Sequence, residues 1–286
     1  MRVGFVTAVE LGRACIEEIL ACGGSLDIVM TLRDEQASDK SGRVRLDDLC
    51  SAVGTPLVKV RNINDPEAVE ALRAARLDWL FIVGWSQIAR PAVLQTAGYG
   101  VLGIHPTLLP EGRGRAPIPW AILKDLPQTG VTMFRLDAGV DSGPIAGQLA
   151  IPLDPRETAN TLYDKVVAGH RSLIRDCWPR LMAGTLELVQ QDETRATYWP
   201  GRRPEDGALD LAGSVLDADR LVRAVTRPYP GAFLVSGNTR YRLWSAEPRP
   251  PSGRDIGVHL DGSRLEVVFR DGDMLATDWD SAPRTD

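Results

Sequence analysis

Apolar and polar positions follow two different textures along the chain. Over the first 150 residues, short apolar and β-branched runs recur: "RVGFVT" (2–7), "LDIVMTL" (26–32), "PLVKV" (56–60) and "WLFIVG" (79–84). Runs without a polar face are what parallel strands covered on both sides require. Between them, "LGRACIEEILA" and "DPEAVEALRAAR" carry helical spacing, and Asp65 followed by Pro66 makes a helix start. The alternation predicts an open, mainly parallel α/β sheet with right-handed crossovers. "VLGIH" (101–105) and "GVTMFRL" (130–136) add two strands, the second followed by the turn "DAGVDSGP" (137–144).

A helical pattern then covers 158–182, and Pro179 is expected to kink or end it. Residues 190–210 are polar and rich in Gly and Pro, and read as a linker. From 211 the texture changes to short strand-like runs ("GAFLVS", "TRYRLWSAE", "GVHL", "RLEVVFRDG") punctuated by Gly, Asn, Pro and Asp. The organisation read from the pattern is therefore an α/β domain over 1–189, a linker over 190–210 and a small β-rich domain over 211–286.

Composition narrows the picture. The chain has 286 residues, 44% apolar and 25% charged, as in ordinary globular proteins. A net charge of −5 argues against a broad basic surface for nucleic acid. No apolar run approaches the roughly 18 residues of a membrane span. The start "MRVGFVTAVELG" enters a strand pattern directly, so no signal peptide is read. Cys15, Cys22, Cys50 and Cys177 lie far apart without a C-x-x-C, and are expected as buried small hydrophobes in a reducing cytoplasm. That leaves no disulfide framework and no zinc site. The first strand is not followed by G-x-G-x-x-G, and neither a P-loop nor a G-x-S-x-G elbow occurs.

Histidine is scarce, at three residues, and one stands in "GIHPTLLPEGRGRAP" (103–117). There His105 ends an apolar run, at the kind of strand end that borders the ligand crevice of an open α/β sheet. With Asp141 from the next turn it suits general acid–base work; on spacing alone, a lone histidine after a strand is more often structural. Arg113 and Arg115 suit a carboxylate or phosphate, or a solvated loop. His170, mid-helix, and His259, in the β-rich part, are read as structural.

The runs "IHPTLLPEGRGRAPIPWAI" (104–122) and "TGVTMFRLDAGVDSGPI" (129–145) resemble the 10-formyltetrahydrofolate-dependent formyltransferase family. That family includes methionyl-tRNA formyltransferase and the sugar-nucleotide N-formyltransferases of surface-polysaccharide assembly. "RRPEDGALD" (202–210) and "LVRAVTRPYPGAF" (221–233) are similar to the start of its C-terminal domain, so the resemblance covers nearly the whole chain. It implies a Rossmann-like formyltransferase domain followed by a small OB-like β domain.

By the same resemblance, His105 matches the histidine that handles protons during amine attack, and Asp141 the aspartate that assists it. Gln87, Ile88 and Ala89, Arg115, and the loop Asp137, Ala138, Gly139, Val140 and Asp141 match positions that hold the formyl-folate. No metal is implied. The family's Asn-x-His motif departs here to Gly103-Ile104-His105. Glycine offers no side-chain donor to the developing oxyanion, a loss typically worth about 10²–10³ in rate. Three consequences stand open. Ser86, Gln87 or Thr107 supplies a donor; His105 serves the oxygen itself and the enzyme is slower; or the site binds folate without transfer.

For the acceptor, "EGRGRAP" resembles the sugar-nucleotide members, whereas the tRNA enzymes more often carry alanine where Arg115 stands. The expected reaction is therefore formyl transfer from 10-formyltetrahydrofolate to the amine of a nucleotide-linked amino sugar. The alternatives are methionyl-tRNA, a secondary-metabolite amine, hydrolysis to formate, or a catalytically impaired folate-binding homologue. Arg113 is expected at the diphosphate, and Trp85, Trp120 or Tyr163 at the base or sugar, although a core role suits these aromatics better. A homodimer is the common assembly.

Overall fold

The computed structural model describes residues 1–36 and 42–284, which form two units. The first holds 1–114, 129–152 and 165–199, and the second 115–128, 153–164 and 200–286. The division thus cuts across the boundaries read from the pattern. Segments 115–128 and 153–164 group with the C-terminal part, and 190–210 divides between the units, 190–199 in the first and 200–210 in the second.

In the first unit, β1 (Val3–Val6), β2 (Ile28–Leu32), β3 (Leu57–Val60) and β4 (Leu77–Val83) alternate with α1 (Glu10–Ala21), α2 (Asp47–Val53) and α3 (Pro66–Ala74). α4 (Pro91–Leu94) leads into β5 (Ala97–His105), and a short β6 (Arg113–Gly114) follows. β7 (Gln128–Arg135) and β8 (Ile145–Pro152) complete a seven-stranded sheet of order β3-β2-β1-β4-β5-β7-β8. The pairs from β3 through β5 are parallel, while β7 runs antiparallel to β5. Strand β8 was not read from the sequence.

Both faces of the parallel strands are covered, which explains their lack of a polar side. On one face Phe5 stacks on Phe81, and Phe81 meets Trp178. On the other, Val6, Met30, Leu80 and Ile82 pack with Val69 and Leu72 of α3. α3 starts at Pro66 behind Asp65, as its sequence predicts.

In the second unit, α5 (Pro117–Leu123) and the start of α6 (Ala159–Met182) precede a 3-10 turn and α7 (Val215–Val225). Five antiparallel strands follow, β10 (Ala232–Ser236), β11 (Thr239–Arg249), β12 (Gly257–Asp261), β13 (Arg264–Val268) and β14 (Asp273–Pro283), in the order β10-β11-β14-β13-β12. A two-residue strand β9 (Tyr198–Trp199) lies before them in the chain and belongs to the first unit. The β-rich C-terminal texture is thus a single antiparallel sheet with α7 against it.

Two local expectations need correction. α6 runs through Pro179 to Met182. Proline in the last turn removes only one hydrogen bond, and Ala183 N still closes on the Pro179 carbonyl. Cys15, Cys50 and Cys177 are buried free thiols, but Cys22, at the C-cap of α1, is exposed. No helix among the described residues is long and apolar enough to cross a membrane.

Candidate active site

β5 delivers His105 as its last residue, opposite Thr132 of β7. The chain then turns away but is tied back at once. Thr132 Oγ1 donates to the Thr107 carbonyl at 2.7 Å and accepts from Leu109 N at 3.2 Å, and Gln148 Nε2 bridges Leu109 O and Thr132. The loop returns to the histidine at Gly112, whose positive φ of 74° lets its carbonyl face the imidazole. His105 Nε2 donates to Gly112 O at 2.8 Å, and the residue is buried at 8% exposure.

A carbonyl only accepts, so this bond places the ring proton of neutral His105 on Nε2 and leaves Nδ1 as the basic nitrogen. Nδ1 stands 3.7 Å from Asp141 Oδ2, close enough for a charge interaction and too far for a hydrogen bond. The sequence placed Asp141 on a neighbouring strand end. Because β7 is antiparallel, its following loop leaves level with Val101, where Leu136 N donates to the Val101 carbonyl, and Asp141 must reach back toward His105. It does so with φ of 51°, left-handed for a residue with a Cβ. Its carboxylate accepts from Gly114 N at 2.8 Å.

The two loops expected at a folate lie after β4 and β7. Ile88 is 83% exposed and Val140 52% exposed, with Ala138 and Gly139 also at the surface. Asp137 Oδ1 accepts from Gly139 N and Ser142 Oγ, which makes the 137–142 turn a fixed one. Gln87 is committed at both ends: Oε1 accepts from Ile63 N and Nε2 donates to Arg61 O. Both bonds brace its own loop and leave one amide N–H of Gln87 over. Thr107 Oγ1 is buried and has no hydrogen-bond partner among the described residues. Ala89 packs against the hydrophobic cluster, as does Trp85.

A side chain at position 103 would have to displace the end of Leu136. A Cβ built on Gly103 would lie 2.8 Å from Leu136 Cδ2 and 3.5 Å from Ile82 O, so Leu136 stands where a side chain at 103 would go.

Arg113 does not fit the role expected for it. It has 0% exposure, and its guanidinium is spent within the first unit. Nη1 donates to Glu193 and Tyr198 OH, Nη2 to Glu193 and Gln191, and Nε to Gln191. The Glu193 carboxylate holds the guanidinium charged, above its already high ordinary value. Thr197 Oγ1 accepts from Gly112 N, and β6 pairs with β9, so residues 191–199 wrap the loop that touches His105. None of these partners was singled out from the sequence.

Arg115 and Trp120 fall in the second unit. There Arg115 is exposed and lies along Gly201, while Arg202 and Lys124 sit over the Trp120 ring at 5.2 and 5.7 Å. His170 is fully buried on α6, with Nδ1 donating to Val166 O and Nε2 without a partner among the described residues. Burial, with a smaller contribution from the charge of His105, pushes its pKa down to about 4. His259 Nε2 bonds to Asp255 O within the β domain.

Residues 12–176 match the family model described as formyl transferase, and residues 202–279 match that of the formyl transferase C-terminal domain. Among solved structures, the chain is similar to an N-formyltransferase from Helicobacter canadensis, in complex with folinic acid and dTDP-3-aminofucose. That match has 15% identity and a TM-score of 0.70, over 96% of this chain and 98% of that one. A methionyl-tRNA formyltransferase from Clostridium thermocellum matches at 17% identity and a TM-score of 0.63, over 99% of this chain and 100% of that one. HypX from Aquifex aeolicus, in complex with tetrahydrofolic acid, matches at 17% identity and a TM-score of 0.68, over 99% of this chain and 46% of that longer one.

Proposed function

The chain belongs to the formyl transferase family, and from that premise we propose that it moves the formyl group of 10-formyltetrahydrofolate to the amine of a nucleotide-linked amino sugar. The observation that carries the reading is the state of His105. Its Nε2 is occupied by Gly112 O, its Nδ1 is free of hydrogen bonds, and a carboxylate stands 3.7 Å from that nitrogen.

The donor supplies a formyl carbon already attached to a nitrogen that can leave. Nδ1 of His105 takes the proton shed by the amine as the new C–N bond forms. Asp141 stabilises the imidazolium so produced, and His105 then returns a proton to the donor nitrogen as the old C–N bond breaks. Proton count and charge balance across the two transfers, with a formamide and tetrahydrofolate as products. Ile88, Ala89, Gln87 and the 137–141 turn hold the folate, exposed apolar side chains and fixed backbone groups suiting a flat heterocycle with polar edges.

A relative of the same fold has been solved with a dTDP-amino sugar. The net charge of −5 weighs against a tRNA.

The test is mass spectrometry of products from purified protein, 10-formyltetrahydrofolate and a panel of UDP-, dTDP- and GDP-linked amino sugars, with charged Met-tRNA and buffer as controls. A formyl adduct on one nucleotide sugar is the expected result. An adduct on Met-tRNA alone replaces the acceptor assigned here. Formate release in buffer makes the protein a hydrolase, and an unconsumed folate in every arm overturns formyl transfer.

A further inference from the structure

Asp141 faces a conformational problem that its own segment does not solve. A residue with a Cβ at φ of 51° sits in a sparsely used region, and the turn around it is exposed from Asp137 to Val140. The carboxylate is fixed at one point, by Gly114 N. The backbone is fixed from elsewhere. Gln191 Nε2 donates to the Asp141 carbonyl at 2.8 Å and to the Gly143 carbonyl at 2.7 Å, one bond on the left-handed residue and one just beyond it.

The Gln191 amide has a single orientation open to it. Its oxygen accepts from Arg113 Nη2 at 2.8 Å and Nε at 3.2 Å, and its nitrogen faces two carbonyls. Turning the amide over would set nitrogen against a guanidinium and oxygen against two carbonyls, so each end enforces the other. Arg113 is in turn held by Glu193 and Tyr198, and the residue after it, Gly114, is the one that bonds the Asp141 carboxylate. The chain of contacts closes into a ring: Gly114 to the carboxylate of Asp141, the Asp141 carbonyl to Gln191, Gln191 to Arg113, and Arg113 to Gly114 through the backbone. Gln191 is 9% exposed, so water does not readily take its place.

We infer that Gln191, oriented by Arg113, is a positioning residue that sets Asp141 at its distance from His105. The inference rests on the proton role proposed for His105, and it concerns a glutamine that touches neither the reacting atoms nor His105.

With only three histidines in the chain, imidazole NMR of the whole protein resolves His105 directly, without knowledge of the acceptor. His105 is assigned with His105→Ala, and its titration midpoint is compared in wild type, Asp141→Asn and Gln191→Leu. Gln191→Leu is expected to move the midpoint in the same direction as Asp141→Asn, and to move it no further when added to Asp141→Asn. Turnover in Gln191→Leu at saturating donor is expected to fall about 10–100-fold, and the loss is absent in the Asp141→Asn background. A midpoint that responds to Asp141→Asn but not to Gln191→Leu overturns the inference, as does an equal fractional loss of turnover in both backgrounds. Where Gln191→Leu fails to fold, Gln191→Asn, one methylene too short to span Arg113 and the turn, is read by the same criteria. If instead His105→Ala and Asp141→Asn keep wild-type turnover, it is the proton role of His105 that fails, a result separable from these.

Discussion

Leu136 fills the space that a side chain at position 103 would need, its Cδ2 standing 2.8 Å from where a Cβ on Gly103 would be. A side chain introduced at 103 therefore meets Leu136 first.

Gly103→Asn alone consequently tests crowding before chemistry. It is expected to destabilise the protein by about 1–3 kcal/mol, as overpacking does, and to lower turnover. Gly103→Asn with Leu136→Ala is expected to regain most of the stability and to stay within a few-fold of wild-type turnover. Melting curves and single-turnover rates on the three proteins check this. A gain of about 10²–10³ in the double variant would instead show an oxyanion left unsupported in the natural chain.

His105→Ala and Asp141→Asn remove the base and its charge partner. Each is expected to cost about 10²–10⁴ in turnover, with folate affinity held within a few-fold, since the 137–141 turn is assigned to the folate through its backbone groups and not through the Asp141 carboxylate. Isothermal titration with a non-transferable folate and product analysis separate the two quantities. Wild-type turnover in either variant removes the pair from the mechanism.

Arg113→Met distinguishes a buried tie from a substrate contact. As the guanidinium is enclosed by Gln191, Glu193 and Tyr198, the variant is expected to melt several degrees lower and to become more sensitive to proteolysis over 189–199. A diphosphate contact predicts the opposite pattern, an unchanged melt with a raised KM for the nucleotide sugar.

His170 carries a pH signature. Its pKa lies at about 4 in the folded chain against 6.5 for an unperturbed histidine, because burial disfavours the cation. Above pH 6.5 the folded and unfolded forms are both neutral and the group contributes nothing to the pH dependence. Between 6.5 and 4 the unfolded chain takes up a proton that the folded one refuses, so stability falls with falling pH, at most by about 1.4 kcal/mol per unit. Urea midpoints measured over this range are expected to be flatter in His170→Leu than in wild type. Parallel curves would show that His170 does not refuse its proton in the folded chain.

Much of this was legible before the fold was known, and the rest has physical reasons for its silence. The parallel strands showed themselves because both faces are buried, and His105 and Asp141 because their surrounding motifs are long. Strand β8 escaped notice because it lies at the end of the sheet, with an exposed stretch from Gln148 to Ala150 and a glycine at 147 that lies against Cys177. Arg113 and Arg115 look alike in "EGRGRAP", yet one is enclosed and the other exposed; their difference depends on Gln191 and Glu193, about 80 positions away. The same distance hid Gln191 and Thr197 in a stretch whose polar, Gly- and Pro-rich composition reads as a linker. Gly103 was visible as a departure, but what occupies its space was not, since Leu136 reaches it from a loop whose path depends on the antiparallel β7.

The tie from Gln191 also imposes an order of assembly. Gln191 lies 50 positions after Asp141 and 78 after Arg113. On a ribosome, the strands, His105 and Asp141 are made before the segment that steadies them, and α6 must be completed in between. A nascent chain, or one cut just after α6, therefore holds every residue of the acid–base pair and still lacks the anchor for the Asp141 backbone. Competence for proton transfer arrives with the last piece of the first unit to leave the ribosome.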